Sequence, residues 1–297
     1  MDINRANLDA MFRTYTTAFQ AGLAYVAPID LAFAFREFPS GSASNFYAWL
    51  DRVPGFREWV GERVFNNVRS QNFEVVNRDW EDSVSILNKD IEDDNYGVYG
   101  PIIQMMAEGW PELKFELVLE VLTSNPTCYT GVAYFADNHA YGDNTIANLV
   151  TSALSETTFN AAFLAAAAWK FANGKPTRTR FTHLFHGPKL RDTAFNLVDN
   201  KYIVAETGAG GHKDNPNYKR VERVEVPDFT GTYDDYWMLL DCSRPVKPIA
   251  LQVRKQPTPI MDTRIEQVMR TGQVDFMADA RAAAAPTFPH LAYAGIL

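Results

Sequence analysis

Two stretches of this chain, 1–45 and about 63–89, carry apolar side chains without a pattern that lets them bury those side chains alone, and this restricts the architectures open to it. The first opens with a short helical pattern, roughly Leu8 to Ala21. An aromatic and Ala-rich run from Tyr25 to Phe38 follows, and then the break Pro39-Ser40-Gly41-Ser42. No period of two or 3.6 persists across it. The segment is expected to be a terminal arm, strapped to the body or packed on a neighbouring chain. In the second stretch Val64, Val68, Phe73, Val75, Val76, Trp80, Val84 and Ile86 alternate with charged and amide groups on both sides of Asn77-Arg78-Asp79. That pattern predicts an extended two-stranded ribbon. Two strands alone are marginal in water, so the ribbon needs a surface to lean on, and another subunit is one such surface.

The rest of the chain is able to form a core. With 297 residues, 46% of them hydrophobic, it has material for one large domain or two modest ones. The net charge of −8 argues against a non-specific nucleic-acid binder, which needs many cations to displace counterions, but it leaves room for one local basic strip. No run approaches the roughly 18 apolar residues of a membrane helix. The stretch from Asn160 to Phe171 is too short, and Met1-Asp2-Ile3-Asn4-Arg5 lacks the design of a signal peptide. Synthesis and folding in a cytoplasm, with no membrane contact, are the expectation. Cys128 and Cys242 lie far apart and outside any Cys-x-x-Cys pair, so both are expected to be free, buried thiols.

Ser44 or Asn45 is placed to cap a helix bearing Phe46, Trp49 and Leu50. The turn Val53-Pro54-Gly55 leads to a second short helix with Phe56, Trp59 and Val60. The longest helix is expected over Asn95 to Thr123, with Pro101 in its first turn and Gly109-Trp110-Pro111 kinking or ending it. A further helix is expected from Ser155 to Phe171, without a full capping box, and another from Lys189 to Leu197. Strands are expected at Phe181–Phe185, Val221–Val226, Tyr236–Asp241, Ile249–Lys255 and Leu291–Ala294. A strand pair is expected within Gln267–Ala283, turning at Thr271-Gly272. The class is α+β, mostly antiparallel.

No constellation supports a reaction or a cofactor. Asp137, His139 and Asp143 invite a base or metal-ligand reading. Yet no Gly-x-Ser-x-Gly elbow or His-Glu-x-x-His accompanies them. His183 and His186, three apart near a turn, make a weak ligand pair. The acids Asp90, Glu92, Asp93 and Asp94 lack the spacing of an EF-hand loop and suit the start of a helix. Gly208-Ala209-Gly210-Gly211-His212-Lys213 runs into Asp214-Asn215-Pro216-Asn217 and not into a Walker helix, so it is expected to be an exposed loop. Arg178-Thr179-Arg180 and Lys219-Arg220 are small basic spots on solvated faces. A metal-dependent hydrolase built on Asp137 and His139 is the rival reading from chemistry.

Four groups of segments, in order, carry a resemblance. They are 42–50 (Ser-Ala-Ser-Asn-Phe-Tyr-Ala-Trp-Leu) with 56–63 (Phe-Arg-Glu-Trp-Val-Gly-Glu-Arg); 77–81 (Asn-Arg-Asp-Trp-Glu) with 90–99 (Asp-Ile-Glu-Asp-Asp-Asn-Tyr-Gly-Val-Tyr); 128–131 (Cys-Tyr-Thr-Gly) with 135–139 (Phe-Ala-Asp-Asn-His); and 237–241 (Trp-Met-Leu-Leu-Asp) with 244–248 (Arg-Pro-Val-Lys-Pro) and 252–255 (Gln-Val-Arg-Lys). Together they resemble the major head subunit family of phage Mu and its prophage relatives, over most of the chain from about residue 40. The resemblance implies the Hong Kong 97-type capsid fold. Its expected parts are an N-terminal arm (1–45), short helices (46–62), an extended hairpin loop (63–94), a peripheral domain with a spine helix (95–126 and 255–297) and an axial domain with connecting segments (127–254). It implies a structural, non-enzymatic subunit that forms pentamers and hexamers around phage double-stranded DNA, without sequence-specific contact to that DNA. A portal and a decoration protein are further implied partners, and a separate scaffolding protein is expected because no charged helical leader precedes the arm. Phe33, Phe35, Phe38, Phe73 and Trp80 are the expected inter-subunit anchors, because aromatic residues dominate interface energetics. A tail-tube or decoration protein is the alternative virion role.

Overall fold

The computed structural model describes residues 4–25, 31–47, 73–93, 95–204 and 212–296. Asn4 accepts the Asn7 backbone N–H at 3.0 Å and so caps the first helix, α1 (Arg5–Leu23). Its buried residues Leu8, Met11, Tyr15, Phe19 and Gly22 follow three-and-four spacing, the stripe of a helix with one covered face. Strands β1 (Phe35–Pro39), β2 (Ser44–Phe46), β3 (Glu74–Val76) and β4 (Arg78–Leu87) come next. The short α2 (Asn88–Glu92) and a 3-10 turn at Asn95–Val98 lead into α3 (Tyr99–Ser124), which holds Pro111 inside it and stops at the left-handed Asn125 (φ 49°).

A small hairpin, β5 (His139–Tyr141) and β6 (Asn144–Ile146), precedes β7 (Leu149–Val150) and α4 (Glu156–Ala168). Then come β8 (His183–His186), α5 (Arg191–Ala194) running into a π turn at Phe195–Asp199, β9 (Tyr202–Val204), β10 (His212–Asp214), β11 (Glu222–Glu225) and β12 (Trp237–Leu240). Last are β13 (Ile249–Met261), α6 (Ile265–Thr271), β14 (Gln273–Pro286) and β15 (Ala292–Gly295).

Two sheets organise these pieces. One has the order β1-β13-β14-β4 and the other β11-β8-β12-β15-β7. In the first, β14 alternates strictly enough that Val274, Phe276, Ala278, Ala280 and Ala282 share one buried face. α1 and α3 lie over that face, and the row of alanines leaves the room they need. Gly22 marks where the two helices cross closely: a Cβ there would stand 2.2 Å from the Gln104 carbonyl oxygen. The second sheet is filled by Trp237, Phe181, Phe159 and Tyr293 on one side and by Phe185, Met238 and Tyr134 on the other.

Several expectations are corrected. The helix of the arm is not left for a neighbour: its apolar stripe packs with Ile103, Met106 and Phe276 of the same chain. Arg78–Leu87 is a strand, but its partner is β14, with Trp80 opposite Ala280 and Ile86 opposite Val274. Glu74–Val76 pairs with β2. Alternation identifies a strand and says nothing about its partner, which is why the pattern alone joins the two halves of the ribbon wrongly. Ser44–Phe46 forms that short strand, while Trp49 and Leu50 of the expected first short helix lie outside the described residues. The second short helix and the first part of the ribbon fall in 48–72, outside the described residues. Residues before Gly272 form α6, not a strand: Gly272 is its left-handed C-cap (φ 72°), and β14 begins after it. At α4 the Thr158 hydroxyl closes a full capping box with Ser155, doing what a Glu or Gln does elsewhere. Among the described residues three pairings are parallel, β1/β13, β11/β8 and β15/β7, and the rest are antiparallel.

Candidate assembly surface

The chemistry suggested by Asp137 and His139 does not assemble. His139 is fully buried. Its Nε2–H donates to the Tyr134 carbonyl and the Asn148 Oδ1, both at 3.1 Å, and its Nδ1 accepts from the Thr130 hydroxyl at 2.8 Å. Both ring nitrogens are thus committed to one neutral tautomer, and burial lowers the pKa. Asp137 and Asp143 are exposed. The imidazole is a bolt between loops, not a base. Among the described residues no group of three or more His, Cys, Asp or Glu is placed to hold a metal ion. Asp90 accepts the Tyr99 hydroxyl at 2.6 Å beside the start of α3, and His212-Lys213-Asp214 form β10, paired with β9. Cys128 and Cys242 are free and buried, and burial pushes the Cys242 thiol up to about 12.

Of the five aromatic anchors, Phe35 and Phe38 lie in β1, Trp80 in β4, and Phe33 and Phe73 just before strands, and each has a partner in its own chain. Phe33 stacks on His183 with ring centroids 4.0 Å apart. Phe35 packs between two of the cores. Phe38 meets Tyr47 edge-on at 5.8 Å, and Phe73 leans on the same core. The Trp80 indole donates to the Ala282 carbonyl at 3.1 Å and lies 4.6 Å beneath the Arg78 guanidinium. All five remain partly exposed.

The more open apolar surface is elsewhere. Val98 and Met105 are each 67% exposed and Ile102 43%, a stripe from the 3-10 turn onto the start of α3, set about 100° round the helix from the buried Ile103, Met106 and Trp110. A helix apolar on two faces is covered on both, and within the described chain only one is. A second patch lies at the tip of the long β13–α6–β14 hairpin. There Ile260 and Met277 are direct cross-strand partners, and Ile265 and Met269 stand beside them on α6. The sequence signal for the stripe is the broad apolar spacing of 96–106, which fits one face of a helix poorly. Nothing in the sequence marks the tip, whose residues come together only through the hairpin.

This two-sheet body with a long helix over the larger sheet is the architecture of tailed-phage shell proteins. The subunit in the procapsid of bacteriophage JBD30 matches it with a TM-score of 0.62 at 24% identity, over 99% of this chain and 76% of that one. A family model described as Mu-like prophage major head subunit gpT matches residues 8–153 and 212–295, and the chain belongs to that family. It is 29% identical over 290 residues to the Mu-like prophage FluMu major head subunit of Haemophilus influenzae, covering 96% of this chain and 71% of the relative. It is 26% identical to the major capsid protein of Escherichia phage Mu, over 99% of this chain and 75% of that protein. Members of such a family are structural components of the virion capsid and not enzymes.

Proposed function

We propose that this chain is the repeating subunit of an icosahedral phage head, arranged as pentamers and hexamers around double-stranded DNA. The observation that carries the reading is the head-subunit match along both ends of the chain, joined to an apolar stripe on α3 that the described chain leaves uncovered. Each contact in a closed lattice is allowed to be weak, because many act together. The stripe at Val98, Ile102 and Met105 and the hairpin tip at Ile260 and Met269 are the first contacts of the proposal. The exposed edges of Phe33, Phe35, Phe38, Phe73 and Trp80 are secondary ones. A division into a peripheral part (95–126 and 255–297) and an axial part (127–254) belongs to the same reading; β13 crosses its boundary, and β15, inside the peripheral range, pairs in the second sheet. A separate scaffolding protein, a portal, a decoration protein and assembly in the host cytoplasm belong to the same reading. Electron microscopy of the purified protein tests it. Closed icosahedral shells are expected, whereas six-fold rings and tubes would make it a tail-tube protein.

A further inference from the structure

The two basic spots of the sequence, around Arg178-Thr179-Arg180 and Lys219-Arg220, meet in the fold. Arg180, Lys219, Arg220 and Arg223 line one open cleft of about 570 Å³, together with Asp199 and Glu222. Asp199 is already engaged, accepting from Lys219 Nζ at 3.1 Å and from Arg223 Nε at 2.9 Å. Glu222 lies 3.4 Å from the His183 imidazole, which burial keeps neutral, so Glu222 retains its charge and leaves four cations facing one uncompensated carboxylate. Arg180 and Arg220 have no carboxylate partner among the described residues.

Arg220 is held by its side chain and Arg180 by its backbone. Arg220 donates to the Asn160 and Asn217 side-chain oxygens at 3.1 and 3.0 Å, and its guanidinium lies 3.7 Å over the Phe163 ring. Neutral partners fix its direction and leave its charge uncompensated. The backbone N–H of Arg180 is held by the fully buried Asp241 at 3.0 Å. The same carboxylate grips Arg244, whose guanidinium ties down the carbonyls of Thr177 and Arg178 at 2.7 and 2.8 Å. Arg178 (φ 54°) and Lys219 (φ 55°) are two of three non-glycine residues with left-handed backbone among the described ones. Strained backbone persists where the surroundings over-determine it, and it concentrates at binding sites. Arg180, Phe181, Thr182 and Asp199 of the cleft lining come from 154–211, the stretch that the family match skips.

We propose that this cleft is a phosphate site, in which Arg180 and Arg220 grip one phosphate oxyanion with Lys219 beside them. Two guanidinium forks and an ammonium suit the several oxygens of a phosphate better than a lone carboxylate. The phosphate comes either from free inorganic phosphate or from the backbone of a nucleic acid, bound without regard to sequence. The proposal does not depend on the chain forming a shell.

Purified protein titrated with a labelled DNA duplex over a salt series reads the second source, and the thermal midpoint with and without inorganic phosphate reads the first. Arg180→Gln and Arg220→Gln are each expected to flatten the salt dependence of duplex binding by about 0.9 for every phosphate the variant no longer neutralises, or to abolish the phosphate-induced rise in midpoint. Arg220→Lys should restore only part of either response, because an ammonium lacks the fork. A response in the duplex arm assigns the nucleic-acid backbone, and one in the phosphate arm alone assigns the free anion. Unchanged responses in both variants would overturn the site. So would variant-sensitive binding of an oligoglutamate peptide with none of phosphate or duplex. If Arg220→Gln unfolds for want of its Phe163 stack, the exposed Arg180→Gln decides alone.

Discussion

At the scale of single residues, two positions carry much of the order in the second sheet. Gly295 lies so close to Trp237 that an added Cβ would stand 2.0 Å from the indole nitrogen, which donates to the Ser152 carbonyl at 3.0 Å. Gly295→Ala is expected to push the ring aside and cost about 1–3 kcal/mol, visible as a lower urea midpoint. His290 ends a buried relay: Tyr129 donates to Tyr141 at 2.7 Å, and Tyr141 donates to the His290 Nδ1 at 3.3 Å. Burial, with Arg244 nearby, drives the His290 pKa from 6.5 to about 3. The unfolded chain therefore takes up a proton that the native imidazole refuses. This residue's contribution is complete above pH 6.5 and is lost as pH falls toward 3. His139 and His186, also lowered by burial, act with the same sign. Thermal midpoints should decline across that window, and His290→Gln should make the decline shallower. An unchanged slope would remove His290 from the account.

At the scale of elements, α3 does two jobs with two faces. Ile103, Met106 and Trp110 fasten it over the larger sheet, while Val98, Ile102 and Met105 look outward. Met105→Asp should leave the melting midpoint nearly unchanged, as exposed substitutions do, and should prevent particle formation on a sizing column. Ile103→Asp, on the covered face, should abolish folding altogether. Particles formed in normal yield by Met105→Asp would remove this stripe from the subunit contacts. β4 illustrates how an edge strand is kept from pairing promiscuously: Asp79, Glu81 and Asp82 put charge along it.

At the scale of the whole molecule, the parts legible in the sequence are those set by local chemistry. The long helix can be placed to within a few residues, because its first-turn proline and its periodic apolar residues act locally. The strands at Tyr236–Asp241 and Ile249–Lys255 are legible for the same reason. What is not legible depends on partners far along the chain. The Arg78–Leu87 strand is visible in the pattern and its neighbour is not, since β14 lies about 190 residues away. Of the two surfaces open to the arm and the ribbon, a sister molecule or the body, α1 and β4 take the body: their own chain covers them. The head-subunit assignment rests instead on the sequence match and on the outward face of α3. Of the candidate surface, the five aromatics are singled out by residue type alone, and type does not reveal how much of a ring the body already hides.

The larger sheet has one more consequence. It joins residues 35–39 and 78–87 to 249–286, so during synthesis β1, β4 and the part of the α1 stripe that meets Phe276 wait for a hairpin the ribosome has yet to make. Long-range pairing of this kind folds slowly and leaves sticky surface open meanwhile. A nascent chain built this way stands to gain from a chaperone's shelter, and its lattice contacts on α3 take shape only after that late hairpin has settled the helix in place.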